Sequence, residues 1–422
     1  MKKHLIRLLG IFAILSVISF ALIAEAAPKT VTLKLWHLWA ADTESNKIPM
    51  QRVLAAFEKS HPNIKIEVDA VENQTYKTKI KTAIAANEAP DIFFTWGAGF
   101  AQPFVESKKV LALDPYLKDG TKNRILSGTL ANYTYDGKIY GLPLYMWAGV
   151  FYVNKDLFAK SNIKIPTTYK EMMDAVKAFR AKGITPISVG EKDRWCGMFF
   201  QNIFALRTGG VKLCTDALGK KASFDQPAFV QSAQLLSDLV KAKAFNDGCL
   251  GLTHDEAQAV FLNGQVPMYY QGSWEAGTFE RDGSPVKGKI VAMKFPAVEG
   301  GKGSPDEFLG GAIDTFMVSA NTKYPREAAT AVKYICENMS REAYLAGGNL
   351  PTWKVNVDKS RINPLLAQVA DLTRSAKGYV LAWDTFLIGS EADTHLNLVQ
   401  EIFAGMTTPE QFAKEMQKLN QK

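Results

Sequence analysis

Six of the chain's eight tryptophans, Trp39, Trp96, Trp147, Trp195, Trp274 and Trp383, fall in loops or at the ends of expected elements instead of recurring at helical spacing. Indole rings placed this way offer flat apolar faces to a ligand, while a few polar groups nearby set its orientation. Tyr145 belongs with Trp147, and two carboxylates accompany the rings: Glu44, in the polar loop after Trp39, and Asp314. Such a set suits a neutral sugar, whose C–H faces are apolar and whose rim of hydroxyls needs acceptors. Tryptophan also fills cores and domain interfaces, so the shared position at element ends carries more weight than any single ring. No G-x-S-x-G, H-E-x-x-H or P-loop pattern occurs. Paired carboxylates for glycoside hydrolysis can be distant in sequence, which leaves a secreted glycosidase as a competing reading. The five histidines lack ligand spacing and the four cysteines contain no C-x-x-C, so neither a metal nor another cofactor is expected.

The elements that must hold these residues are ordered around Asp136 to Lys155, DGKIYGLPLYMWAGVFYVNK. An Asp-Gly turn signal opens it, Gly141 and Pro143 interrupt a strand pattern and mark a bend, and a second apolar strand follows Trp147. Before it, VTLKLWHLW reads as an alternating strand, 49–59 as an amphipathic helix and 64–71 as a second strand. That β-α-β order favours a mostly parallel sheet covered by helices. A short buried strand, Ile92 to Thr95, then delivers Trp96 to its C-terminal end, where open α/β sheets hold ligands. Beyond the pivot, Thr167 is the expected cap of a helix over 169–182. Trp195 stands at the mouth of the next helix, whereas Phe200 and Phe204, at i and i+4, read as core.

The run GKIYGLP followed by FYVNKDLFAKSNIKIPTTYKEMMDAV resembles the extracellular solute-binding proteins of ABC importers, in particular their carbohydrate-binding family 1. GQVPMYYQGSW resembles that family's Gly-x-x-x-Met strand ending in Gly-Ser-Trp, and FLGGAIDTF its Gly-Gly-x-Asp-x-Phe strand. Tyr270 and Gln271 depart from the family's smaller residues, and Ala312-Ile313 adds one residue before Asp314. The resemblance implies two α/β lobes of the Venus-flytrap type joined by several hinge crossovers. It places 27–139 with 312–347 in the N-terminal lobe and 140–311 with 348–422 in the C-terminal lobe. It further implies that Trp96, Trp274 and Trp383 face a sugar, that Gly311 lets the backbone approach it, and that Asp314 accepts from its hydroxyls. For Asp314 a solvated or capping role is the alternative. The implied partners are a carbohydrate, an oligosaccharide in view of so many rings, and the permease subunits of an inner-membrane transporter, with the protein a monomer. Glycerol phosphodiesters and polyamines are the rival ligands.

At 422 residues the chain exceeds what one core holds, which agrees with two lobes. Its net charge is +8, of which the first 26 residues supply +2, and no basic run interleaved with aromatics suggests nucleic acid. Lys2, Lys3 and Arg7 precede an apolar run, Leu8 to Ile23, that ends in Ala24-Glu25-Ala26. This reads as a secretory signal peptide over 1–26, cut after Ala26 or Ala27, with export to a periplasm; an uncleaved anchor is the alternative. In such an oxidising compartment Cys214 and Cys249, both in turn-like polar surroundings, are the expected disulfide. Cys196 and Cys336 are then thiols, because a bridge between lobes would oppose hinge motion.

Overall fold

The computed structural model of the chain describes residues 30–421, so the expected signal peptide lies outside the described residues. Strand β1 (Val31–His37) buries Val31, Leu33 and Leu35 and exposes Thr32 and Lys34, the alternation of a strand with one well-covered face. Helix α1 (Lys47–Ser60), β2 (Ile64–Ala70), α2 (Asn73–Ala86), β3 (Ile92–Trp96) and α3 (Ala98–Glu106) follow. Every residue of β3 is buried, as a central strand covered on both faces must be. A small hairpin, β4 (Thr134–Tyr135) and β5 (Lys138–Ile139), precedes β6 (Gly141–Pro143) and the fully buried β7 (Trp147–Asn154).

The next stretch holds α4 (Lys155–Ser161), α5 (Tyr169–Ala181), α6 (Trp195–Leu218), α7 (Pro227–Lys241) and α8 (His254–Leu262). Thr168, not the expected Thr167, caps α5, because it is Thr168 whose hydroxyl accepts from the Glu171 amide; Thr167 donates to the Glu171 side chain instead. After α8 come β8 (Met268–Gly272), α9 (Glu275–Glu280), β9 (Ile290–Met293), β10 (Glu307–Gly311) and β11 (Asp314–Val318). The chain ends with α10 (Pro325–Ala346), α11 (Pro364–Thr373), β12 (Gly378–Val380), α12 (Trp383–Phe386), α13 (Ser390–Ala404) and α14 (Pro409–Asn420).

Besides the β4-β5 hairpin, two five-stranded sheets result, one per lobe: β2-β1-β3-β11-β6, and β12-β10-β7-β8 with β9 against β7. Pairing is mixed, and the expected mostly parallel order holds only for β2-β1-β3 and for β10 with β12. The reason is the way the chain changes lobe. Strands β1, β3, β6, β8, β10 and β12 run towards the seam between the sheets, whereas β7 and β11 each begin there and must run antiparallel to their neighbours. Three passages cross this seam side by side. Leu144 to Met146 joins β6 to β7, Ala312-Ile313 joins β10 to β11, and the segment after α10 pairs Leu350 with Met146. Trp353 locks the third passage by donating its Nε1–H to the Pro143 carbonyl at 2.7 Å.

All four cysteines are free thiols, and the expected Cys214–Cys249 bridge is absent. Their separation explains it. Cys249 lies at the start of α6, its carbonyl accepting from the Glu191 amide, while Cys214 lies near the other end of that helix. The unbroken first segment of α6, up to Gly209, spans about four turns, roughly 20 Å, and Cys214 lies beyond the kink at Gly210, so the two are far outside the ~7 Å limit for a disulfide.

Candidate functional site

The seam between the sheets opens into a cleft lined from both lobes. Strand ends supply its walls: Trp39 follows β1, Trp96 ends β3, Trp147 begins β7, and Trp274 follows β8. On the second-lobe wall the rings are continuous. Trp147 stacks on Phe199 with centroids 5.3 Å apart and meets Trp274 edge-on at 5.1 Å, while Trp195 contacts Phe199 at 5.2 Å. On the first-lobe wall Trp39 and Trp96 both pack edge-on against Phe94, at 5.3 and 5.1 Å. Indoles braced in this way hold their orientation at the cleft wall.

Between the rings stand polar groups whose partners decide their availability. Asn46 donates to the Tyr145 hydroxyl at 3.1 Å, which leaves its own side-chain oxygen buried with no partner among the described residues. Asn73 keeps a second such oxygen. Glu44 and Asp314 line the same space, and burial pushes each carboxyl up to about 7; at Glu44 the His254 charge opposes the rise and the Glu275, Asp255 and Glu72 carboxylates add to it. His254 is held from both sides, Nε2 to Glu275 at 3.0 Å and Nδ1 to Asp255 at 3.1 Å. Burial works against its charge, but the two carboxylates prevail and raise it to about 10, so it is an imidazolium over which the Trp195 ring lies at 4.8 Å.

The two walls are in contact, so the structure is closed. Ser45 donates to the Trp274 carbonyl at 2.8 Å, Thr278 to the Thr43 carbonyl at 2.6 Å, and Gln74 to the Asp193 carbonyl at 3.0 Å. An ion pair between Lys77 on α2 and Asp384 on α12, at 3.2 Å, spans the cleft mouth.

Of the residues singled out from sequence, Trp39, Glu44, Trp96, Tyr145, Trp147, Trp195, Trp274 and Asp314 surround this one cleft. Gly311 does not. It pairs with Trp147 in the β10–β7 ladder and lines a separate hollow with Met146, Gly310 and Ala312. Trp383 is also elsewhere, fully buried in the second-lobe core against Phe224 at 5.5 Å and His395 at 4.9 Å. Consecutive helical residues point about 100° apart, so turning Trp383 inward delivers Asp384 to the cleft instead. Sequence reasoning passed over Asn46, Lys77, His254, Gln258, Glu275 and Asp384. Thr253 and Glu256 form a capping box, which marks His254 and Asp255 as the first turn of a helix and was a usable signal for them. Lys77, on a helix face like any other, carried none.

Two α/β lobes, three crossovers and a ring-lined cleft define a ligand-binding protein of the two-lobed periplasmic type. The profile of the bacterial extracellular solute-binding proteins matches residues 40–339, most of the chain, and the chain belongs to that family. It is 50% identical to a solved structure from a study of xylan utilization by the thermophilic bacterium Caldanaerobius polysaccharolyticus, which covers 92% of this chain and 99% of that one with a TM-score of 0.89. A chitin oligosaccharide binding protein is 29% identical over 93% of this chain and 98% of its own, with a TM-score of 0.84. The multiple sugar-binding protein of Streptococcus mutans is 22% identical over 368 residues, 85% of each chain. Among the described residues no helix is long and apolar enough to cross a membrane.

Proposed function

We propose that this protein is the substrate-binding component of an ABC importer, that it captures an oligosaccharide between its lobes without altering it, and that it presents the closed complex to a membrane permease. The observation that carries this reading is the cleft itself, where braced indoles on both walls flank amide oxygens and carboxyls that lack protein partners. Rings satisfy the C–H faces of a sugar and the free acceptors satisfy its hydroxyls. The similarity to proteins named for chitin oligosaccharides and multiple sugars supports the ligand class, and the neighbour from xylan utilization puts xylo-oligosaccharides first for testing. Export through the signal peptide at 1–26, a periplasmic location and action as a monomer belong to the same proposal. So does the lobe division, which we now draw by sheet membership: β6 and β11 go with the first lobe, β7 and β10 with the second.

A melting-temperature screen tests the reading, since a ligand that binds only the folded state raises the transition. Xylose, xylobiose to xylohexaose, chitin oligosaccharides, a glycerol phosphodiester and spermidine form the panel, with release of reducing ends followed on the same samples. Oligosaccharides are expected to raise the transition with no new reducing ends. A response confined to the phosphodiester or the polyamine, or steady hydrolysis, overturns the reading.

A further inference from the structure

The cleft contains the usual means of attracting an anion, and the protein's own carboxylates have taken each of them. Lys77 is paired with Asp384, and His254 lies between Asp255 and Glu275. Helix N-termini are the other recourse. At the start of α2, Glu72 accepts from the Gln74 and Thr75 amides at 2.8 and 3.2 Å. Glu191 accepts from the Gly197 amide in the first turn of α6 at 2.7 Å, and Glu256 closes the capping box of α8. What stays unpartnered is mostly of the opposite kind: against one buried donor, the Trp195 Nε1–H, stand the side-chain oxygens of Asn46 and Asn73 and the carboxyls of Glu44 and Asp314, neither of which takes a hydrogen bond from a described residue. Asp314 is only 7% exposed.

We propose that the cleft discriminates by charge, accepting uncharged oligosaccharides and rejecting those that carry a carboxylate, with Glu44 and Asp314 as the residues that set the discrimination. The inference rests on the oligosaccharide reading and narrows it. A sugar carboxylate closed into this space loses its water, finds no free cation or amide cluster among the described residues and a single free indole N–H, and faces two groups that accept instead of donate. Above neutral pH both groups are charged as well, and like charges brought together under low hydration repel strongly. Hydroxyls suffer none of this, because each of them can donate to the same oxygens.

The test uses a matched pair made from the oligosaccharide that binds best. Reducing its terminal aldehyde yields the alditol and oxidising it yields the aldonate, so the two differ at one carbon, CH2OH against a carboxylate. Titration calorimetry at pH 8 is expected to show the aldonate about 100-fold weaker than the alditol for the natural chain. In the double variant Glu44→Gln, Asp314→Asn the ratio is expected to fall below about tenfold, whatever the absolute affinity, and each single variant to fall between. Thermal melts of the variants confirm that they are folded. Equal affinities for alditol and aldonate in the natural chain overturn the proposal, as does a ratio that the double variant leaves unchanged. Failure of every neutral oligosaccharide to bind is a different result, and it overturns the sugar reading on which the proposal stands.

Discussion

Asp314 begins β11 at the seam of the lobes, where burial lifts its carboxyl from 3.8 to about 7. Between those values the folded protein holds a proton that the unfolded chain has released, so this residue's contribution to stability is present at acid pH and is lost as pH rises through 7. His37 and His395 act in the opposite sense: burial lowers them to about 4 and about 3, which favours the folded state as pH rises through the ordinary histidine range. A whole-protein pH profile therefore mixes both signs, and a difference between variants separates them. Asp314→Asn is expected to raise the melting temperature of the ligand-free protein only slightly at pH 5, where the unfolded chain has begun to release the proton that the folded protein keeps, and by several degrees more at pH 8, where the full penalty has accrued. Calorimetric scans at the two pH values check this. An equal shift at both would mean that Asp314 stays ionised throughout.

At the scale of elements, short segments determine which face each residue shows. The glycines that end β10 adopt φ of +129° and +131°, and a Cβ at Gly310 would lie 2.2 Å from the Trp147 carbonyl oxygen. Close approach of two crossover strands is thus the structural use of that glycine pair. Helix α12, four residues long, sorts its side chains just as sharply, with Trp383 in the core and Asp384 at the cleft mouth. Trp383→Ala is expected to cost ~3–5 kcal/mol of stability, the range for large aromatic truncations in a core. Trp274→Ala, at a partly exposed ring on the cleft wall, is expected to weaken oligosaccharide binding about tenfold or more with a smaller effect on stability. Denaturant titration beside calorimetry on the two variants makes the comparison. Loss of binding by a folded Trp383→Ala, with Trp274→Ala unaffected, would reverse the roles assigned here.

For the whole molecule the question is how firmly closure is held. A handful of part-buried polar contacts and one ion pair cross the cleft mouth, few enough for opening to remain accessible, since each net hydrogen bond contributes only about 1 kcal/mol. Ligand then selects the closed form by touching both walls at once. Solution scattering is expected to show a ligand-free protein larger than a compact chain of this size, for which the radius of gyration is about 21 Å, and contraction towards that value on saturation. An unchanged radius at saturation would rule out closure as the response to ligand.

The amino-acid sequence alone determined what local chemistry can encode. The β-α-β order, the Gly and Pro bends of 141–143, and the aromatic residues at strand ends are short-range patterns, and they were sufficient for an α/β sheet covered by helices with rings at its strand ends; the two lobes came from chain length and from the resemblance carried by GKIYGLP and FYVNKDLFAKSNIKIPTTYKEMMDAV. Tertiary structure alone decided the rest. The seam made β7 and β11 antiparallel, the length of α6 kept Cys214 from Cys249, and one turn of α12 exchanged Trp383 for Asp384 at the cleft. Lys77, His254 and Glu275 became site residues only when helices distant in sequence were brought to one surface. Each of these outcomes depends on direction and distance between elements, which packing sets and neighbouring residues in the chain do not record.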